Sequence, residues 1–399
     1  MTIGYGKQSI RSDDIRSVIK SLKRDLITQG NQVSKFEIDL KKQFRSKFCT
    51  AVSSGTAALH LSGKALDWKK NDIIITSPIT FLASANAIEY SGANTDLVDI
   101  NKESYCIDPE QLESKLKKYK SRKKKIKAVI AVDYAGHPCD WKSLRFLANK
   151  YSFKLINDNC HALGASYYND SFYAAKYADI VTQSFHPVKA ITTGEGGAVI
   201  TNDKLIDDKI KLLRSHGIKK NLYSNSPWIS DMKELGYNYR ITDFQSALGS
   251  NQLKKLKTFI KKRNDIAKFY TNELSKTEKI ILPKESKNIK HAYHLYPIQI
   301  KFKEISISRE LFFKKMFDHG IHLQVHYVPI YNHSYYKKKY KFKKSEFKNA
   351  DSYYKQTCSL PIYPELSLDN IKLAEKISNE QLKIEKKIKI FIQINIGNE

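Results

Sequence analysis

Between about residue 51 and residue 201, short β-branched and apolar runs alternate with longer amphipathic stretches, the pattern of a parallel sheet covered by helices on both faces. The runs predict strands at Ile73–Ser77, Thr95–Val98, Lys127–Val132, Lys154–Asn157, Ile180–Phe185 and Ala198–Thr201. The intervening stretches predict helices over Thr56–Leu66, Leu82–Tyr90, Pro109–Lys118 and Trp141–Lys150. After the cap signal Thr242-Asp243, the run Phe244 to Phe259 reads as one long helix that bridges to a second unit. Beyond it, His291–Ile300 and Ile321–Tyr327 predict strands of a smaller α/β layer. A chain of 399 residues suits one large and one small domain. The expected division is a large, mainly parallel sheet domain over 1–245, including an N-terminal arm, and a smaller C-terminal α/β domain over 246–399.

Composition narrows the class. The apolar runs, such as Ala128–Val132, are strand-length, far below the roughly 20 residues a membrane helix needs. The first residues lack a basic start followed by an apolar stretch, so a cytoplasmic protein with no membrane partner is expected. Five scattered cysteines without a CxxC pair argue against a disulfide framework and against a zinc site; no metal site is expected. A formal net charge of +28 attracts polyanions and small anionic ligands alike. Lysines gather in Lys115–Lys125 and Tyr335–Lys344, the second run interleaved with aromatics as on a nucleic-acid surface. Lysine is nevertheless spread over nearly every helix and arginine, the better phosphate fork, is scarce. A solvated lysine surface is therefore the expectation and nucleic acid is not the expected partner, with a non-catalytic basic binding protein as the alternative.

Four segments carry candidate chemistry. The stretch Ser184 to Gly197 places Lys189 between a strand end and a glycine-rich turn. A lysine that attacks a carbonyl must be neutral, which a desolvated site favours. Gly194, Gly196 and Gly197 would let backbone approach a cofactor closely. Asp158 ends a hydrophobic strand, where its carboxylate could hold a pyridine nitrogen protonated through a bond worth about 1.5–3 kcal/mol, or serve merely as a turn cap. Ser54-Gly55-Thr56-Ala57 opens an apolar helix, whose free amides, with the Thr56 and Ser184 hydroxyls, suit a phosphate; alone the segment would read as a cap. Phe81 could stack on a flat ring with His161 at its edge or other face, and His186 either touches substrate or hydrogen-bonds in its turn. With Gly236 to Arg240 as the fourth segment, the set points to a pyridoxal 5'-phosphate site.

These motifs resemble the DegT/DnrJ/EryC1/StrS family of sugar-nucleotide aminotransferases, a branch of the fold-type I pyridoxal phosphate enzymes with the aspartate aminotransferase-like fold. The likeness covers nearly the whole chain, from Tyr5-Gly6-Lys7-Gln8 through Ile27-Thr28-Gln29-Gly30 to Ser359-Leu360-Pro361. Within the family, Ser184-Phe185-His186-Pro187-Val188-Lys189 and Asp158-x-x-His161 most resemble the branch that aminates C4 of a UDP-linked 4-keto-6-deoxy-N-acetylhexosamine on the route to pseudaminic acid; most relatives carry Gln where this chain has His161. The resemblance implies that Lys189 forms the Schiff base, Asp158 pairs with the pyridine nitrogen and His161 lies near the ring hydroxyl. It likewise implies that Thr56, Ala57 and Ser184, beside Gly55, hold the phosphate, and that Phe81 stacks on the ring. Asn238 would reach in from a neighbouring subunit, making a homodimer with shared active sites, while His186, Arg240 and His326 would meet the sugar nucleotide. The implied partners are L-glutamate as donor and a nucleotide-linked 4-ketosugar as acceptor, with another UDP- or dTDP-linked 4-ketosugar as the alternative. A sugar dehydratase on this scaffold would carry histidine in place of Lys189. Two departures stand out, the high charge and Asn157-Asp158-Asn159-Cys160 in place of Glu-Asp-(Ala/Ser)-(Ala/Ser), and neither removes a reacting group.

Overall fold

The computed structural model describes residues 3–220 and 228–367. Its centre is a seven-stranded sheet, in the spatial order Phe48–Val52, Gly197–Thr201, Ile180–Ser184, Lys154–Asp158, Ile126–Val132, Ile73–Thr76, Asn94–Leu97. The last five are mutually parallel, and Gly197–Thr201 runs antiparallel to both of its neighbours. Consecutive strand residues divide cleanly between two apolar layers. Ile74, Ala128, Ile130, Ile156, Ile180 and Val199 pack on one face, while Ile75, Val129, Ala131, Leu155, Val181 and Ile200 pack on the other. Burial on both faces is why these strands read as continuous apolar runs rather than as alternating ones.

The six strands expected within 73–201 are all present to within a residue or two, and the four expected helices run over Gly55–Ala65, Leu82–Tyr90, Pro109–Ser121 and Trp141–Tyr151. Asp108 and Asp140 cap the latter two, each accepting backbone N–H groups one turn on. The edge strand Phe48–Val52, paired with Gly197–Thr201, and the helices Ser12–Leu22, Asn31–Phe44 and Lys204–Arg214 complete the layer.

Three expectations fail in whole or in part. The single helix 244–259 is two, Asp243–Leu253 and Leu256–Leu274, with a break at Lys254-Lys255. Thr242 does cap the first, in a reciprocal pair with Gln245. Asp243 instead turns away and accepts the N–H groups of Gly30 and Gln32, tying down the start of Asn31–Phe44. The segment 321–327 is not a strand: Ile321 and Gln324 make only isolated bridges, to Ile3 and Ser359. Of 291–300, only Tyr296–Ile300 is a strand, central in a three-stranded antiparallel sheet with Ile280–Ile281 and Thr357–Leu360. That smaller sheet has its own apolar cluster, to which Ile3 contributes, whereas Ile330, Tyr336, Phe347 and Tyr353 join the cluster of the large sheet. The residues beyond 367, assigned from sequence to the smaller domain, lie outside the described residues.

The two lysine-rich runs meet in space. Lys124 and Lys125 share a surface groove of about 610 Å³ with Tyr340, Lys341 and Phe342, beside the edge strand Asn94–Leu97. Among the described residues no helix is long and apolar enough to cross a membrane.

Candidate active site

In an open parallel sheet, ligands lie beyond the carboxyl ends of the strands. Two adjacent strands end there on polar residues, Asp158 and Ser184, and both line a cleft of about 550 Å³ that also takes in Lys189.

The loop that follows Ser184 is closed on itself. Phe185 N–H donates to Gly196 O at 2.8 Å, Thr193 N–H to Phe185 O at 3.0 Å, and Lys189 N–H to His186 O at 2.9 Å. Arg263, fully buried, reaches the same loop from the helix Leu256–Leu274: its guanidinium donates to Val188 O at 3.4 Å and to Ile362 O at 2.8 Å. Lys189 is thereby held half-buried in the cleft wall. Burial pushes its amine below the ordinary lysine range, against the opposing pull of Cys160 and Asp158.

The glycines of this loop serve a different purpose from the one expected. A Cβ on Gly197 would stand 2.3 Å from Ser54 O, and one on Gly196 would stand 2.2 Å from Thr193 Oγ1. Gly196 makes room for the Thr193 side chain, while Gly197 admits the Ser54 backbone and so seats the Ser54 turn beside the strand that carries Ser184. Gly194 supplies the positive φ (+80°) of the turn.

Ser54 caps the helix Gly55–Ala65, its Oγ accepting Ala57 N–H at 3.0 Å. The amide of Ala57 is therefore already spent, and Ala57 is not among the cleft-lining residues; Ser54, Gly55 and Thr56 are. The N–H groups of Gly55 and Thr56, first in the helix, have no acceptor within it. Gly55 touches Ser184 so closely that a Cβ would lie 2.7 Å from Ser184 Cβ.

Asp158 is buried, with Oδ2 taking the Ser84 hydroxyl at 2.7 Å and Oδ1 taking Cys160 N–H at 3.3 Å. Thr80 Oγ1 lies 2.8 Å from Ser84 Oγ, so a short hydroxyl chain backs the carboxylate. Phe81, 55% exposed at the start of Leu82–Tyr90, lines the cleft with its ring 5.9 Å from that of Tyr327.

Three imidazoles share the opposite wall. His161 and His294 lie 4.3 Å apart, ring to ring, and His326 holds its Nδ1 2.8 Å from Ser359 Oγ. Burial first, and the charge of Lys189 in addition, pushes all three below the ordinary histidine range, His326 to about 3. They are neutral at physiological pH. His186 is exposed at the cleft's edge. Asn238 is exposed and Arg240 half-buried, and neither lines the cleft of its own chain.

Sequence reasoning missed Tyr5, Thr80, Ser84, Glu195, His294 and Tyr327. Thr80 and Ser84 flank Phe81 at helical spacing after a strand end and carried a readable signal. Tyr5, His294 and Tyr327 come from remote segments whose approach only the fold decides.

The residues fit pyridoxal phosphate: a depressed amine, a fixed carboxylate one strand away, and a backbone cradle at Gly55 that a side chain would fill. Fold and cleft together define a fold-type I, pyridoxal phosphate-dependent aminotransferase. The chain belongs to the DegT/DnrJ/EryC1/StrS aminotransferase family, whose profile matches residues 8–378. It is 41% identical over 372 residues to the UDP-4-amino-4,6-dideoxy-N-acetyl-beta-L-altrosamine transaminase of Campylobacter jejuni subsp. jejuni, spanning 93% of this chain and 95% of that protein. It is 39% identical over 366 residues to the uncharacterized protein MJ1066 of Methanocaldococcus jannaschii, covering 91% and 93% of the two chains. Among solved structures it matches Helicobacter pylori PseC, an aminotransferase involved in the biosynthesis of pseudoaminic acid, with a TM-score of 0.85, 31% identity, and 96% and 99% of the chains covered.

Proposed function

We propose that this protein moves an amino group from L-glutamate to C4 of a UDP-linked 4-keto-6-deoxy-N-acetylhexosamine, a step toward pseudaminic acid, and that it works in the cytoplasm as a homodimer. The observation that carries the reading is Lys189, an amine held below its ordinary range by burial and one strand away from the buried Asp158 carboxylate. The Campylobacter and Helicobacter relatives support the choice of sugar.

Pyridoxal phosphate supplies an aldehyde with which amines condense and a protonated pyridine ring that accepts the electron pair of a breaking C–H bond. Lys189, its amine held below the ordinary lysine range by burial, would be the nucleophile that holds the cofactor. With the cofactor and donor bound, Lys189 Nζ would be the group that carries the proton of the donor's α-carbon within the cleft. Asp158 would keep the pyridine nitrogen protonated; Ser84 and Cys160 occupy one lone pair on each of its oxygens and leave the others for that bond. Gly55 and Thr56 N–H groups with the Ser184 hydroxyl would hold the phosphate, the helix start adding its positive end. Phe81, on the cleft lining, would cover one face of the ring.

Asn238 is exposed and outside its own cleft, which supports its reaching a partner's phosphate, with Arg240 beside it toward the sugar nucleotide. Exposed Ile15, Ile19, Leu22, Leu26 and Ile27 on one side, and Trp228, Ile229, Met232 and Leu235 on another, support a covering second copy. His186 and His326, on the cleft wall, are the remaining proposed contacts to the sugar nucleotide.

The test is incubation of purified protein with L-glutamate and a panel of UDP- and dTDP-linked 4-ketosugars, with products read by mass spectrometry. The UDP-linked N-acetyl substrate should give an amino sugar and 2-oxoglutarate in equal amounts. Turnover of none of the panel would sink the reading.

A further inference from the structure

We propose that Tyr327 is a further catalytic residue of this cleft: its phenol O–H is the donor that meets the cofactor oxygen next to the carbon Lys189 attacks. The inference rests on the transaminase reading above and follows from where each proton on the imidazole wall must sit.

Ala135 N–H donates to His161 Nδ1 at 3.3 Å, so Nδ1 is an acceptor and carries no proton. His161 is buried and held well below the ordinary histidine range, by burial first and then by Lys189 and His326. It is therefore neutral, with its one proton on Nε2. Nε2 lies 3.3 Å from Tyr327 Oη. The imidazole must donate and the phenol oxygen must accept. Tyr327 consequently keeps its own proton free, with no other protein partner for its hydroxyl among the described residues. Burial holds the phenol well above the ordinary tyrosine range, so the proton stays on it. The ring is braced at 6.1 Å against His161, at 5.9 Å from Phe81 and at 6.3 Å from Tyr134.

Pyridoxal phosphate carries its ring hydroxyl and its phosphate arm on opposite flanks of the line from pyridine nitrogen to aldehyde carbon. Ser54, Gly55, Thr56 and Ser184 form one corner of the cleft, and Asp158 sits at a strand end. A phosphate in that corner turns the hydroxyl oxygen toward the flank built by His161, His294 and Tyr327. On that flank His161 has spent its proton on Tyr327, whose phenol proton is free to donate. A fixed donor at this oxygen favours its anionic form and lowers the cost of charge that builds up on the ring. His161 is then a positioning residue: its tautomer, set by Ala135, decides which way the tyrosine proton points.

The experiment titrates apoprotein with pyridoxal 5'-phosphate and with 3-deoxypyridoxal 5'-phosphate, which lacks the oxygen in question. Wild-type protein should prefer the hydroxyl-bearing cofactor by about tenfold or more, the worth of one charge-assisted hydrogen bond. Tyr327→Phe, which deletes only Oη, should bring the two affinities to within about threefold with an unchanged circular dichroism spectrum. A tenfold preference that survives in Tyr327→Phe overturns the inference. Nitrogen-15 NMR of the wild-type protein should show the Nε2–H tautomer for His161, and an Nδ1–H tautomer overturns the inference with no variant needed. Failure of wild-type protein to bind either cofactor overturns the transaminase reading and this inference with it, whereas normal binding with an unchanged preference in Tyr327→Phe overturns this inference alone.

Discussion

The Ser84 hydroxyl donates to Asp158 Oδ2 at 2.7 Å, and the bond is fully buried. It fixes the carboxylate's orientation at the cleft. Ser84→Ala should weaken pyridoxal phosphate binding about tenfold, the typical worth of a hydrogen bond to a charged group. Asp158→Asn removes the charge itself, and turnover should fall about a hundredfold or more while some cofactor still binds. Absorbance titration gives the first number and steady-state kinetics the second; parental turnover in Asp158→Asn would refute the pyridine-nitrogen role.

Lys189→Ala removes nucleophile and proton carrier together, and turnover should drop by more than about a thousandfold. The amine also has a stability signature. Its folded value lies below the ordinary 10.5, so between the two values the unfolded chain binds more protons and stability rises with pH through that window. Apoprotein carrying Lys189→Met should therefore unfold at a higher temperature than the parent at pH 7, and the gap should close as pH approaches 10.5. A gap that is absent at pH 7 means the amine is not desolvated.

His326 is held neutral down to about 3 in the fold, while an unfolded histidine protonates near 6.5. Between those values the unfolded state takes up the extra proton, so stability is lost as pH falls through this window, at about 1.4 kcal/mol per pH unit for each such histidine. His161 and His294 act in the same direction. Urea midpoints should drop steeply from pH 6.5 to pH 4.5. His326→Gln, which keeps a polar partner for Ser359, should lessen that slope by about one proton's worth. An identical slope in the variant would show that His326 is already charged in the fold.

What could be read in the chain was local. Asp158, Ser184 and Lys189 announce themselves because each stands at or just after the end of a buried β-branched run, and a parallel sheet gathers such ends on one side. The helix start at Ser54 was legible for the same reason. What escaped was contact between remote segments. Tyr5, His294 and Tyr327 enter the cleft from loops whose own patterns resemble strands or nothing, and 321–327 looked like a strand because burial against two sheets gives it the same apolar residues. Asn157 and Asn159, odd beside Asp158 on paper, face away from the cleft: both amides donate to the buried Asp133, at 3.1 and 2.8 Å, which also takes Trp141 Nε1 and the Tyr173 hydroxyl. Their oddity belongs to the packing beneath the sheet's end, and no spacing rule distinguishes that from chemistry.

Gly197 is where packing and binding meet. Its missing side chain lets Ser54 O approach, and a Cβ would also stand 2.8 Å from Gln183 O, so neither neighbour can yield without moving a strand. Gly197→Ala should cost about 1–3 kcal/mol as an overpacked site and should lose phosphate affinity, because the Ser54 turn must shift away from Ser184. Denaturant midpoints and binding of inorganic phosphate to the apoprotein read the two effects separately. Loss of stability with phosphate affinity unchanged would detach the turn from phosphate binding.

If Asn238 serves the neighbouring cleft, then two dead proteins should make a live one. Lys189→Ala disables a site through its own chain; Asn238→Asp sets a carboxylate against phosphate and disables the partner's. In a mixed dimer one cleft carries both defects and the other carries neither. Random reassociation makes half the dimers mixed, each with one intact cleft in two, so about a quarter of parental activity should return on mixing. The recovery must appear only after subunits are allowed to exchange, since contact between preformed dimers repairs nothing. Activity that stays at the level of the separate variants after complete exchange, followed by native mass spectrometry, would mean that Asn238 acts in its own chain or not at all, and the exposed position it occupies would then need another explanation.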